Sequence, residues 1–166
     1  MSARRGWAGW AGWLSSVMVS SALAQSSVPP PMPVGAQAVA PALAQTPRQA
    51  AQARFQYMQH CMGCHLPDGS GAPEKGIPSM HGMLGRFLQV PGGRAFIVQV
   101  PGVMNASLND AEVARLMNWL LPQVSATTLP ADTAPYTAEE IRQLRQTRPT
   151  DVPATRAALV AHLPNP

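Results

Sequence analysis

The chain has 166 residues, 12 basic against 8 acidic, and a formal net charge of +4. That length fits one domain with tails or two very small ones. The positive balance is thin: without Arg4 and Arg5, ten basic residues face eight acidic ones, so charge is weak evidence for a nucleic-acid or anionic-membrane partner. Lys75 is the sole lysine, so a lysine-ringed docking face cannot be built.

Arg4 and Arg5 precede an apolar run from Trp7 to Ala22, and Ala22-Leu23-Ala24 forms an A-x-A cleavage site. Residues 1–24 therefore read as an export signal, with a periplasmic location expected. The run is short for a membrane span and carries Ser15, Ser16, Ser20 and Ser21. An uncleaved anchor is the alternative, and only then would the protein meet a membrane. No cysteine stands at the cleavage point to take a lipid. Residues 25–46, rich in Pro and Ala and lacking charge and aromatics, cannot bury enough surface to order themselves, and read as an extended linker.

Thr46-Pro47 is a helix start, an N-cap followed by proline at the first helical position. A helix from Pro47 to about Gln59 then leads into Cys61-Met62-Gly63-Cys64-His65. This C-x-x-C-H is the attachment signature of a c-type haem: each thiol adds to one vinyl group, and the next imidazole meets the iron. Two other chemistries use similar letters. A thiol–disulfide site does not call for the trailing histidine and expects a βαβ setting. A structural zinc site wants four ligands, and His60, His81 and His162 form no second pair of matching spacing.

From His65 to Gly102 the sequence is rich in Gly and Pro and reads as loop, with short helical turns at 81–87 and 93–99. Such a stretch makes sense wrapped round a large apolar ring, which supplies a core that so short a segment would struggle to build. The best-signalled helix follows. Asn109 and Glu112 form a capping box, Leu108 can staple against Val113, and Val113, Leu116, Met117, Leu120 and Leu121 make one stripe that Pro122 closes. Thr137 and Glu140 predict a second capping box for a helix carrying Ile141 and Leu144. A last short helix is expected from Asp151 to about His162. No strand-like alternation of convincing length appears, so the fold class is all-α.

Over residues 48–124 the chain resembles the small monohaem class I cytochromes c of bacteria. The resemblance rests on C-x-x-C-H, on Tyr57 and Ala53 four and eight residues before it, on Gly76-Ile77-Pro78-Ser79-Met80-His81-Gly82 as the following loop, and on Trp119 in the last helix. It implies a cytochrome c-like fold of short helices and loops wrapped round one covalent haem c. Residues 47–124 would be that domain and 125–166 a C-terminal helical extension. It also implies that the Pro78 carbonyl accepts a hydrogen bond from His65, and that the helix bearing Trp119 crosses the first helix near Ala53.

The resemblance places the sixth ligand, a methionine, in a loop just before the last helix. Met104 stands there, 39 residues after His65. Met80 aligns with an apolar residue packing on the haem but could fold over the ring edge, and Met83, His81 or no protein ligand stay open. Met58 and Met117 lie at helical spacing and read as core. Arg86 and Arg94 are candidates for the haem propionates, since guanidinium matches a carboxylate with paired donors, or else exposed loop charges. Phe87, Val90, Phe96 and Val98 read as haem-packing core. The expected function is a periplasmic electron carrier, not itself an enzyme, serving a dehydrogenase or terminal oxidase. The alternative is a haem enzyme or a gas- or peroxide-binding sensor with an open sixth site.

Overall fold

The computed structural model describes residues 41–164. The export signal and most of the expected linker lie outside them. The fold is all-α: α1 (Pro47–His60), α2 (Met83–Phe87), α3 (Gly93–Gln99), α4 (Pro101–Met104), α5 (Asp110–Ser125), α6 (Ala138–Leu144) and α7 (Val152–Ala161). Among the described residues the only extended pairing is an isolated bridge between Ala72 and Ile77. None of their helices is long and apolar enough to cross a membrane.

The helix α1 starts where the sequence says, and Gln49 completes a capping box with Thr46. Two orphan amides are thereby satisfied at the outset. Its inner face buries Ala53 and Tyr57 against α5. Ala53 is fully buried, and its single methyl lets the two helices approach closely. The ring of Tyr57 packs on Trp119 with centroids 5.9 Å apart. Met58, expected in the core, instead lies on the outer face and is exposed, as is Phe55.

Central to the molecule is α5. Asn109 Oδ1 accepts from the Glu112 amide at 3.0 Å, and Glu112 returns the bond to the Asn109 amide at 2.8 Å. Leu108 and the stripe Val113, Leu116, Met117, Leu120 and Leu121 are all buried. Full burial of Leu121 contributes about 2 kcal/mol. Pro122 does not close this helix, which runs on to Ser125. Proline removes one amide and crowds the preceding turn, but burying Val124 and Ser125 favours continuing, and the Val124 carbonyl accepts from the Gly82 amide at 2.8 Å.

Two further departures come from long-range partners. Residues 41–43 form a 3-10 turn rather than open linker, with Leu43 buried and the Gln45 side-chain amide donating to the Arg115 carbonyl at 2.8 Å. At α6 the expected capping box is half made: Thr137 accepts from the Glu140 amide, but the Glu140 carboxylate turns to Arg94. Tyr136 and Ile141 are buried in the same apolar cluster as α5, so the C-terminal segment shares one core with the helices before it.

Candidate haem-attachment site

The C-x-x-C-H segment coils directly onto the end of α1. The Cys61 amide donates to the Tyr57 carbonyl at 2.8 Å, and the Cys64 and His65 amides donate to the Cys61 carbonyl at 3.1 and 2.9 Å. One further turn of chain thus brings the two thiols and the imidazole to neighbouring positions, as residues three and four apart are on a helix surface. Both cysteines are free, Cys61 half-buried and Cys64 exposed. Burial, and secondarily the neighbouring Cys64, push the Cys61 thiol up to about 11. A thiol–disulfide nucleophile needs the opposite shift, toward the thiolate.

His65 is half-buried, and its Nδ1 is buried without a hydrogen-bond partner. Burial lowers its basicity, opposed in part by the Ser70 backbone. The neutral imidazole, the form that binds a metal, is therefore favoured. Pro78, the acceptor implied by the resemblance, receives no hydrogen bond from His65 in this arrangement. Its carbonyl lies instead against Gly71, where a Cβ would stand 2.6 Å from the Pro78 oxygen. Glycine is required there by close approach of two backbones.

Around the motif, local ties hold the loop. The Tyr57 hydroxyl donates to the Leu66 carbonyl at 2.7 Å, and burial pushes that phenol up to about 12, so it remains a donor. Asp68 caps the next turn through the Ser70 amide and hydroxyl, both at 2.9 Å. The Met80 amide donates to the Gly69 carbonyl at 3.0 Å and draws the far end of the loop back. His81 is exposed and lies 3.6 Å from Asp68.

The three methionines differ in setting. Met80 and Met83 pack against the apolar core, whereas Met104 stands half-exposed outside that cluster. Met104 ends α4, a single helical turn where a loop was expected. Phe87, Val90, Phe96 and Val98 are buried, Phe87 meeting Phe96 edge-on at 5.5 Å.

Both expected propionate partners are committed elsewhere. Arg94 makes a bidentate pair with Glu140 at 2.6 and 2.8 Å, donates to the Ala134 carbonyl at 3.0 Å, and stacks 3.9 Å over the Tyr136 ring. Arg86 donates to the Pro164 carbonyl at 2.7 Å. Their partners lie 46 and 78 residues away, beyond the reach of local spacing. The same holds for Gln99, Arg145 and Arg148, which sequence reasoning passed over and which tie the C-terminal segment down.

The donors fit a covalent haem: two thiols beside a neutral, half-buried imidazole with an orphaned nitrogen, and thioethers in reserve. Among the described residues no group of three or more His, Cys, Asp and Glu side chains gathers as a metal site, so the fit to a zinc site is poor.

Comparison with known proteins points the same way. The chain is 29% identical to cytochrome c-552 of Thermus thermophilus over 119 aligned residues, covering 60% of this chain and 90% of that protein. Cytochrome c-552 from a named strain of the same species is likewise 29% identical over 119 residues, with 60% and 80% covered. No protein-family model matches the chain. No solved structure matches it either. The distant similarity supports a cytochrome c.

Proposed function

We propose that this chain is an exported, single-haem c-type cytochrome that carries electrons one at a time between redox proteins and is not itself an enzyme. The observation that carries the reading is the end of α1, where two free thiols precede a half-buried imidazole whose Nδ1 has no protein partner. Bound there, a haem would supply reversible ferric–ferrous chemistry, at a potential that a thioether ligand would raise.

The chain's own residues prepare that site. Cys61 and Cys64 would be the two covalent anchors and His65 the iron's imidazole ligand, its neutral form favoured by burial. Tyr57 fixes the Leu66 carbonyl and hence the turn that aims His65. Met104 is the sixth ligand and Met80 the alternative, supported by their settings: Met80 already serves the core, whereas Met104 is uncommitted to it. Partners of matching role are a dehydrogenase that reduces the protein or a terminal oxidase that oxidises it. The residues ahead of the described part are read as an export signal and linker, consistent with a periplasmic site of work.

The test is spectroscopic. The ferric haem-loaded protein should show the far-red sulfur-to-iron charge-transfer band, lost in Met104→Ala and kept in Met80→Ala. The unaltered ferrous protein should bind carbon monoxide slowly. Rapid binding would favour the haem enzyme or gas-binding sensor instead.

A further inference from the structure

Resting on the haem-and-Met104 reading above, we infer that residues Leu144–Arg148 form a brace that holds the Met104 segment in its ligating position. Met104 ends a weakly supported piece of chain. Its helix α4 is a single turn, Pro101, Gly102 and Asn105 are exposed, and a Cβ on Gly102 would meet nothing within 4 Å. Val100, Val103 and Ala106 pack on the core, but the turn's own backbone bonds, such as Met104 amide to Val100 carbonyl at 3.0 Å, stay within it.

The hydrogen-bonded ties come from the C-terminal segment and fall on both sides of Met104. Ahead of it, Gln99 is buried, and its Nε2 donates to the Leu144 carbonyl at 2.9 Å and to Thr147 Oγ1 at 2.8 Å. Immediately after it, Arg148 Nη2 donates to Asn105 Oδ1 at 2.8 Å. Further on, Arg145 Nη1 donates to the Leu108 carbonyl at 2.9 Å and to Asp110 Oδ1 at 3.0 Å. Hydrogen bonds from a charged donor are the stronger kind. The brace is itself anchored, because Ile141 is fully buried in the main core and Glu140 is clamped by Arg94. The segment carrying the sixth ligand is thus suspended between fixed points that lie on one short stretch of later chain.

Arg145 and Arg148 are positioning residues: they touch neither iron nor thioether, and they act by limiting how far the segment can swing away. Loosening them lets the methionine leave more often without unfolding the domain. An external ligand that binds only the methionine-free form then gains in proportion to that form's population.

The experiment compares full-length, haem-loaded wild type, Arg145→Ala/Arg148→Ala, Arg142→Ala and Met104→Ala. Arg142 sits on α6 but pairs only with Glu139, so it controls for loss of a nearby charge. The double variant should lose its far-red ferric band at an alkaline midpoint about one pH unit lower, and its ferrous form should bind carbon monoxide about ten-fold faster. Arg142→Ala should match wild type in both. If the double variant also matches wild type while Met104→Ala lacks the band, the brace is refuted and the ligand reading stands. If Met104→Ala keeps the band, the ligand reading itself fails and the brace with it. Folding is followed separately by far-ultraviolet circular dichroism, and a double variant that is already unfolded at neutral pH also overturns the brace, since the two arginines would then serve stability at large. The single variant Arg148→Ala, which removes one exposed contact beside Met104, repeats both readouts with a smaller shift in the same direction.

Discussion

The stretch Cys61–Gly82 and the pair α5–α6 are built on opposite terms. In the first, Gly69 is the only buried residue, Met62 and Leu66 expose apolar side chains, and hydrogen bonds of the backbone, the Asp68 carboxylate and the Tyr57, Ser125 and Thr128 hydroxyls hold the chain. In the second, Val113, Met117, Leu121 and Ile141 are at most 1% exposed, and Arg94–Glu140 and Arg145–Asp110 lock the outside. The helical pair is a protein core in its own right. The proximal stretch buries little apolar surface of its own, and the Nδ1 of its His65 is buried without a hydrogen-bond partner.

The contrast is sharpest in a pair of truncations. Leu121→Ala should cost about 3–5 kcal/mol in urea unfolding, and equally with or without haem, because its cavity lies wholly within protein. Leu66→Ala, at a residue 58% exposed, should cost less than about 0.5 kcal/mol in the haem-free chain. A large loss there would show that the proximal stretch has a core of its own. Next in size is Arg94→Ala, which removes both bonds to Glu140 and the stacking on Tyr136, and should cost about 2–3 kcal/mol by thermal unfolding. If haem propionates were its true partners, the loss would appear only in the loaded protein.

The smallest expected effect is a pH dependence of the haem-free protein. His65 is held below its ordinary pKa by burial. The unfolded chain therefore takes up a proton first as the pH falls below about 6.5, and stability declines from there until the folded imidazole also protonates. His65→Gln should flatten that decline between about pH 7 and pH 5 in thermal melts. An unchanged slope would mean that the fold does not discriminate against the charged ring.

What was legible in the sequence divides along the same line. The starts of α1, α5 and α7 are written in closely spaced residues, Thr46 with Pro47, Asn109 with Glu112, and Asp151, and short-range geometry decides them. The C-x-x-C-H turn is local as well. Pro122 misled because its local cost is outweighed by tertiary burial of Val124 and Ser125. Thr137-x-x-Glu140 misled because a carboxylate that could reach back to its own cap found a guanidinium from α3 instead. Arg86 and Arg94 each seek an acceptor, as their chemistry requires, and find it in the C-terminal segment. Which acceptor each finds is a matter of three-dimensional distance, which no spacing rule contains.

Electron transfer by this chain requires that it be joined to haem through residues 61 and 64. Intact mass spectrometry under denaturing conditions, on full-length protein exported by a host that matures c-type cytochromes, measures this most directly. The expected result is the polypeptide mass plus one haem, reverting to the bare polypeptide in Cys61→Ala/Cys64→Ala. The bare mass in the unaltered protein would contradict it.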